Sequence, residues 1–251
     1  MIRLGPAGSG GLGYIEGLKY INKFKLNAME VEFTYGVRMS NEIAKKVGKL
    51  AKELSISLSV HAPYYINLLS SEKKKIEASK KRILESCERA YYLNASCVVF
   101  HVGFYGKLSH EESYSKVVEE VSNLQKKVKV SLAPETTGKR TQFGSVDELL
   151  KLKKETGCDV CIDFAHIKAR EQGINYEKLF DKIKLKHIHS HFSGIEYTEK
   201  GEKRHLVTKE EDIKELLQHI IKRKLDITII NESPEPIEDS IKTKKLLTKL
   251  L

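Results

Sequence analysis

Histidines and carboxylates recur in this chain at one kind of place, the end of a short apolar run. Val60 leads into His61, Val98-Val-Phe into His101, and Leu132-Ala-Pro into Glu135. Cys161-Ile leads into Asp163, with His166 three residues on. Ile188 opens onto His189-Ser-His191, Ile229-Ile-Asn precedes Glu232, and His205 lies between those two runs. Neutral imidazole mixed with carboxylate is the donor set of zinc, manganese or iron. Thiolate is missing from it, which argues against iron–sulfur chemistry. Taken singly, a histidine or glutamate at a strand end is usually an ordinary hydrogen-bonded or solvated side chain. Several carboxylates converging in one dry place are costly unless a cation neutralises them. The donors outnumber the four that a tetrahedral ion takes, so two or three ions are expected. Such clusters polarise phosphoryl oxygens and lower the pKa of bound water, and Glu135 is the central catalytic candidate.

Those donors can meet only if their strands run side by side in one direction. Strand-like runs occur at Ile2–Leu4, Ala28–Phe33, Ser57–His61, Cys97–His101, Val128–Glu135, Asp159–Asp163, Leu185–His191 and Ile227–Glu232. Amphipathic helical patterns separate them at Ser40–Leu54, Ser71–Leu93, Ser109–Lys126, Ser145–Thr156, Tyr176–Ile183, Thr208–Lys222 and Glu235–Leu250. Ser109, Ser145 and Thr208 each stand three residues before a Glu, the capping-box pattern. Alternation of strand and helix implies a parallel sheet, and eight such units over 251 residues fit a single (β/α)8 (TIM) barrel spanning residues 1–251. All strand C-termini then open on one mouth. A doubly wound open sheet is the rival, and it needs a phosphate loop after the first strand. Gly5-Pro-Ala-Gly8-Ser-Gly10-Gly11-Leu-Gly13 lacks clean dinucleotide spacing and reads as a flexible first barrel loop, so no nucleotide cofactor is expected.

A net charge of +10 favours a polyanionic partner, although lysine-rich surfaces also serve solubility. Four cysteines are too few for a disulfide framework. Cys158-Asp-Val-Cys161 has CxxC spacing but no second pair, and it opens an apolar run, so both are read as core. No apolar run is long enough to span a membrane, and a cytoplasmic protein is expected.

In order and context, six segments resemble the endonuclease IV family of zinc-dependent apurinic/apyrimidinic endonucleases. They are His61-Ala-Pro-Tyr-Tyr-Ile-Asn-Leu68, Phe100-His-Val-Gly103, Pro134-Glu-Thr-Thr-Gly138, Cys161-Ile-Asp-Phe-Ala-His166, His189-Ser-His-Phe-Ser193 and Glu232. The resemblance implies that His61 and His101 hold one zinc and that Glu135 bridges to a second. Asp163, a seventh-strand histidine and Glu232 complete that second site, and His166 with His205 hold a third. It further implies hydrolysis of the phosphodiester 5′ to an abasic site in double-stranded DNA, leaving a 3′-hydroxyl and a 5′-deoxyribose phosphate. Arg38, Tyr64 and Tyr65 match loops that enter the DNA at the lesion, and an aromatic there can hold a kinked duplex open. A monomer working at the nucleoid is the family expectation.

The chain departs from the family pattern in two places. Lys203 stands where the family has an Asp two residues before His205, and Glu202 substitutes only if the loop shifts. Gly5-Pro6 replaces a Gly-Ala-His opening. Between His189 and His191, strand spacing slightly favours the first and the following Phe-Ser-Gly the second. Metal-dependent sugar isomerases and epimerases of the xylose-isomerase-like barrels are the competing reading, and a DNA binder weakened at the third metal is another. The imidazole count, the Arg38 and Tyr64-Tyr65 loops and the charge favour DNA.

Overall fold

A computed structural model describes all 251 residues. Eight parallel strands form the barrel: β1 (Ile2–Pro6), β2 (Ala28–Glu32), β3 (Ser57–His61), β4 (Cys97–Phe100), β5 (Ser131–Pro134), β6 (Cys161–Asp163), β7 (Ile188–Phe192) and, after a hairpin, β10 (Ile227–Asn231). They make two four-stranded half-barrels, β1-β10-β7-β6 and β2-β3-β4-β5. The halves close on each other through single bridges, Ala7 with Glu30 and Glu135 with Cys161. The helices are α1 (Tyr14–Lys23), α2 (Asn41–Glu53), α3 (Lys73–Leu93), α4 (His110–Gln125), α5 (Val146–Thr156), α6 (Phe164–Glu171), α7 (Tyr176–Lys182), α8 (Glu210–Lys222) and α9 (Pro236–Leu250). No helix is long and apolar enough to cross a membrane.

The principal core, 54 buried residues, fills the shell between strands and helices. Inside the barrel the apolar packing is a cluster of four, Cys97, Val99, Ala133 and Cys161. Side chains alternate along a strand, so the interior positions that follow these, His101, Glu135 and Asp163, stand at the mouth. Cys158 belongs to the outer core and Cys161 to the inner one, and all four cysteines are free and buried. The CxxC residues therefore face different compartments, as a core reading requires.

Local sequence signals set most helix starts. Ser109 and Ser145 form complete capping boxes with Glu112 and Glu148. Thr208 does not. Its N–H donates to Asp239 Oδ2 at 2.7 Å and its hydroxyl accepts from Asn231 Nδ2 at 3.3 Å. Those tertiary bonds hold Thr208 outside the helix, and α8 starts after Lys209 without a side-chain cap. The glycine-rich loop after β1 is a set of left-handed turns, with φ of 73°, 59°, 78° and 75° at Gly8, Gly10, Gly11 and Gly13. It leads directly into α1, a helix not marked by the sequence pattern. The strand expected over Val128–Glu135 is shorter, because Lys127 and Val128 turn back onto α4 and pairing begins at Ser131.

Between β7 and α8 the chain forms an antiparallel hairpin, β8 (Gly194–Thr198) and β9 (Gly201–Leu206), in place of the simple loop expected there. Its pairing places Ile195 opposite His205 and Glu196 opposite Arg204, but Tyr197 opposite Glu202. Lys203 is the extra residue of a β-bulge, and a bulge resets the alternation of side chains. Glu202 thereby shares a face with His205. Lys203 and Arg204 turn outward and pair with Glu196.

Candidate metal centre at the barrel mouth

Five groups of possible donors gather inside the barrel; Cys161, His189 and His191 make one and Glu30, Glu32 and Glu232 another, and the other three share Glu135 and Asp163 at the C-terminal ends of the strands. The first of these three is His61, His101 and Glu135. His61 Nδ1–H donates to the Ala62 carbonyl at 2.8 Å, and Nε2 faces Glu135 Oε2 at 3.2 Å. His101 Nε2 lies 2.7 Å from the same oxygen. The second group is Glu135, Asp163, His191 and Glu232. His191 Nδ1 stands 3.1 Å from Glu135 Oε1 and 3.1 Å from Glu232 Oε1. Glu135 is fully buried and offers a different oxygen to each group, the geometry of a bridging ligand.

The third group is Asp163, His166 and His205. Asp163 caps α6, its Oδ1 accepting from the His166 N–H at 2.7 Å, while Oδ2 is buried without a hydrogen-bond partner. His166 Nδ1–H donates to the Thr136 carbonyl at 2.9 Å, and His205 Nδ1–H to the Glu232 carbonyl at 3.1 Å. Both rings thus turn their Nε2 atoms toward each other, 3.3 Å apart. Without an ion a proton shared between them satisfies both nitrogens, and a cation can take that proton's place. Glu202 joins them, with Oε2 3.4 Å from His166 Nε2 and Oε1 3.8 Å from His205 Nε2. Its position depends on two glycines. A Cβ on Gly138 would meet Glu202 Cβ at 2.5 Å, and one on Gly201 would meet the Gly138 carbonyl at 2.2 Å. The hairpin tip docks there, Glu202 N–H donating to the Gly138 carbonyl at 3.0 Å.

Without an ion the centre compensates itself with protons. Burial disfavours charge on His61, His166 and His191, yet the surrounding carboxylates hold all three above the ordinary imidazole range. Glu135 is held well below the carboxylate range despite burial, chiefly by His101 and His191. Glu232 falls to about 2 against its burial, through His191. Protonated imidazoles standing where ligands are needed, with an orphaned carboxylate oxygen on Asp163, fit displacement of those protons by divalent ions.

Of the two seventh-strand histidines, His191 is the one among the acids. It is in register with Asp163, whereas His189 is in register with Cys161, one step deeper. His189 instead donates from Nε2 to Glu30 Oε2 at 3.0 Å. Two acids went unnoticed in the sequence. Glu30 and Glu32 occupy alternate positions of β2, beside Ser59 and His61, and both face the barrel interior. Their signal was two glutamates at strand spacing within an apolar strand. Glu32 lines the mouth, and its Oε1 is buried without a partner.

The mouth is a cavity of about 530 Å³ lined by Glu32, His61, His101, His166, Glu202, His205 and Glu232 and flanked by Thr34, Tyr64, Lys139 and Gln142. Tyr64 stands over His61 with ring centroids 6.0 Å apart and is 59% exposed. Tyr65 is exposed beside it, and Arg38 lies exposed on a neighbouring groove with the exposed Tyr35. The loop carrying Lys139 and Gln142 is anchored by buried Arg170, which donates to both of their carbonyls.

Fold and site together define a (β/α)8 barrel whose mouth gathers several groups of possible metal-binding residues. A profile of the xylose isomerase-like TIM barrel family matches residues 18–250. The chain belongs to that family and, within it, to the endonuclease IV group. Over 252 residues it is 37% identical to the uncharacterized protein MJ0133 of Methanocaldococcus jannaschii, covering 92% of this chain and 90% of that one. It is 30% identical to the "Probable endonuclease 4" of Carboxydothermus hydrogenoformans, covering 77% of this chain and 76% of that protein. An apurinic-apyrimidinic endonuclease of Caenorhabditis elegans is 30% identical over 58% of this chain, a match spanning 39% of the nematode protein. Among solved structures, SacUVDE superposes with a TM-score of 0.77 at 19% identity, covering 95% of this chain and 86% of that one. A D-tagatose 3-epimerase-like protein gives 0.73 at 19%, covering 98% and 96%. Endonuclease IV of Thermus thermophilus gives 0.69 at 16%, covering 100% and 99%. These structural likenesses establish the fold alone.

Proposed function

We propose that this chain is a metal-dependent DNA-repair endonuclease that hydrolyses the phosphodiester 5′ to an abasic site. The observation that carries the reading is the third donor group, with His166 and His205 turning their Nε2 atoms to one point and Glu202 beside them. His61, His101 and Glu135 would hold one ion, Glu135, Asp163, His191 and Glu232 a second, and His166, His205 and Glu202 a third. Zinc suits these donors best, with manganese the alternative. Bound divalent ions supply an acidified water and neutralise phosphoryl charge. Glu135 fixes the spacing of the first two sites with its two oxygens. Lys139 and Gln142 stand where a phosphate entering the mouth is met. Tyr64 and Tyr65, exposed beside the mouth, and Arg38, on the neighbouring groove, would be free to occupy a gap in a base stack. An abasic nucleotide lacks stacking, so turning it into the mouth costs less than turning out an intact one.

A sugar isomerase or epimerase is the second reading, favoured by the likeness to the D-tagatose 3-epimerase-like protein and by the compact Glu135, Asp163, His191 and Glu232 group. The extra imidazoles and the exposed aromatic and basic rim weigh against it. The deciding experiment offers the metal-loaded protein a duplex oligonucleotide with one abasic-site analogue, with and without chelator. Chelator-sensitive incision on the 5′ side, lost in Glu135→Gln, is the expected result. Folded, metal-loaded protein that leaves the duplex intact would move the weight to the sugar reading.

A further inference from the structure

Beneath the donor groups lies a second layer of polar side chains that the proposed chemistry leaves unused. Its centre is Glu30, a wholly buried carboxylate on β2. Glu30 Oε2 accepts from Ser59 Oγ at 2.6 Å and from His189 Nε2 at 3.0 Å. Glu30 Oε1 lies 2.9 Å from His191 Nε2. That approach is off the hydrogen-bond axis, and neither atom has another partner. A buried charged oxygen and a buried ring nitrogen left this close have one evident use for each other.

The two nitrogens of His191 have different surroundings. Nδ1 faces Glu135 and Glu232, and Nε2 faces Glu30. A ring that binds a cation through Nδ1 must carry its proton on Nε2, and that proton points to Glu30. We propose that Glu30 is a positioning residue for the metal centre, accepting the Nε2–H of His191 and so fixing both the tautomer and the ring plane that present Nδ1 to the ion. A carboxylate behind a metal-binding imidazole also raises the basicity of the ligating nitrogen. Ser59 and His189 hold Glu30 in turn, which gives the sixth-to-seventh-strand side of the mouth a support reaching across to β2. This inference rests on the metal-centre reading of the mouth. It gives a supporting role to an acid that also stands with Glu32 and Glu232 in a possible donor group.

The test measures ion affinity. Metal-free wild type, Glu30→Gln and Ser59→Ala are titrated with Zn²⁺ against a chromogenic chelator, and Co²⁺ is substituted to read the visible ligand-field spectrum. Circular dichroism and thermal melting of each metal-free protein report the fold. Glu30→Gln should stay folded, bind its tightest ions about 10–100-fold more weakly, and show an altered Co²⁺ spectrum. Ser59→Ala should move affinity the same way by a smaller factor. A folded Glu30→Gln with wild-type affinity and spectrum overturns the proposal, because a purely structural acid would change only the melting temperature. If Glu30→Gln does not fold, Ser59→Ala decides: weakened Zn²⁺ binding at an unchanged fold supports the proposal, and unchanged binding overturns it. A wild type that binds no ion overturns the metal-centre reading as well, and so is told apart from failure of this inference alone.

Discussion

Glu32 offers a quantitative check on the electrostatics of the mouth. Its carboxyl is pushed up to about 8 from an ordinary 4.5, first by burial and then by repulsion from Glu30 and Glu232, with His61 and His191 opposing. In the unfolded chain it ionises at its ordinary value. Between those two pH values the folded protein retains a proton that the unfolded chain has released, so stability falls as pH rises. The contribution is complete below about 4.5 and lost once pH passes 8. At 1.36 kcal/mol per pH unit the interval corresponds to about 5 kcal/mol, an upper limit because the residue keeps some exposure through the mouth. Urea unfolding of metal-free wild type and Glu32→Gln from about pH 5 to 9 reads the titration of Glu32 together with its coupling to His61. The stability of wild type relative to Glu32→Gln should decline by up to about 1.4 kcal/mol per pH unit across the window. Parallel stability curves for the two proteins would refute the reasoning, because they would mean Glu32 ionises at the same pH folded and unfolded.

Other perturbations follow from the hairpin, the caps and the rim. Glu202→Gln should lower bound metal by up to one ion per chain in elemental analysis, whereas Lys203→Ala leaves it unchanged; the reverse order would reject the bulge argument. Gly138→Ala should act like Glu202→Gln, since its methyl takes the space of the Glu202 stem. Ser145→Ala removes a complete capping box and should cost about 1 kcal/mol, a fall of about 2–4 °C in Tm, while Thr208→Ala leaves the α8 terminus without a lost cap. Tyr64→Ala should weaken binding to an abasic duplex about tenfold with little effect on intact duplex, measured by fluorescence anisotropy. Affinity for either duplex should fall steeply with salt, and a flat response would count against a nucleic-acid partner.

The strand ends were legible because the chemistry interrupts apolar runs: each of His61, His101, Glu135, Asp163 and Glu232 breaks a buried pattern at the position where a barrel strand leaves the sheet. Depth within the barrel was not legible. His189 and His191 share a face by alternation, and only pairing with Cys161 and Asp163 on β6 tells which reaches the acids. Glu30 and Glu32 escaped notice for a related reason, since a motif centred on strand ends passes over acids within a strand. α6 was hidden because its cap is Asp163 itself, a residue already accounted for as a donor. The hairpin escaped because its strands are short and polar and its alternation is broken at Lys203.

The bridges that join the half-barrels pass through Glu30 and Glu135, and His191 stands between those two side chains. Elsewhere neighbouring strands are laced by ladders of amide bonds, but at these seams the lacing thins to a few, among them Gly8 N–H to the Glu30 carbonyl and Thr136 N–H to the Cys161 carbonyl. The imidazole of His191 therefore works as a clasp between two shells. An ion held by both His191 and Glu135 would tie the seam as well as the mouth. Slower hydrogen exchange at the Thr136 and Gly8 amides on metal loading, beyond that at amides inside either half, is the mechanical signature of that arrangement.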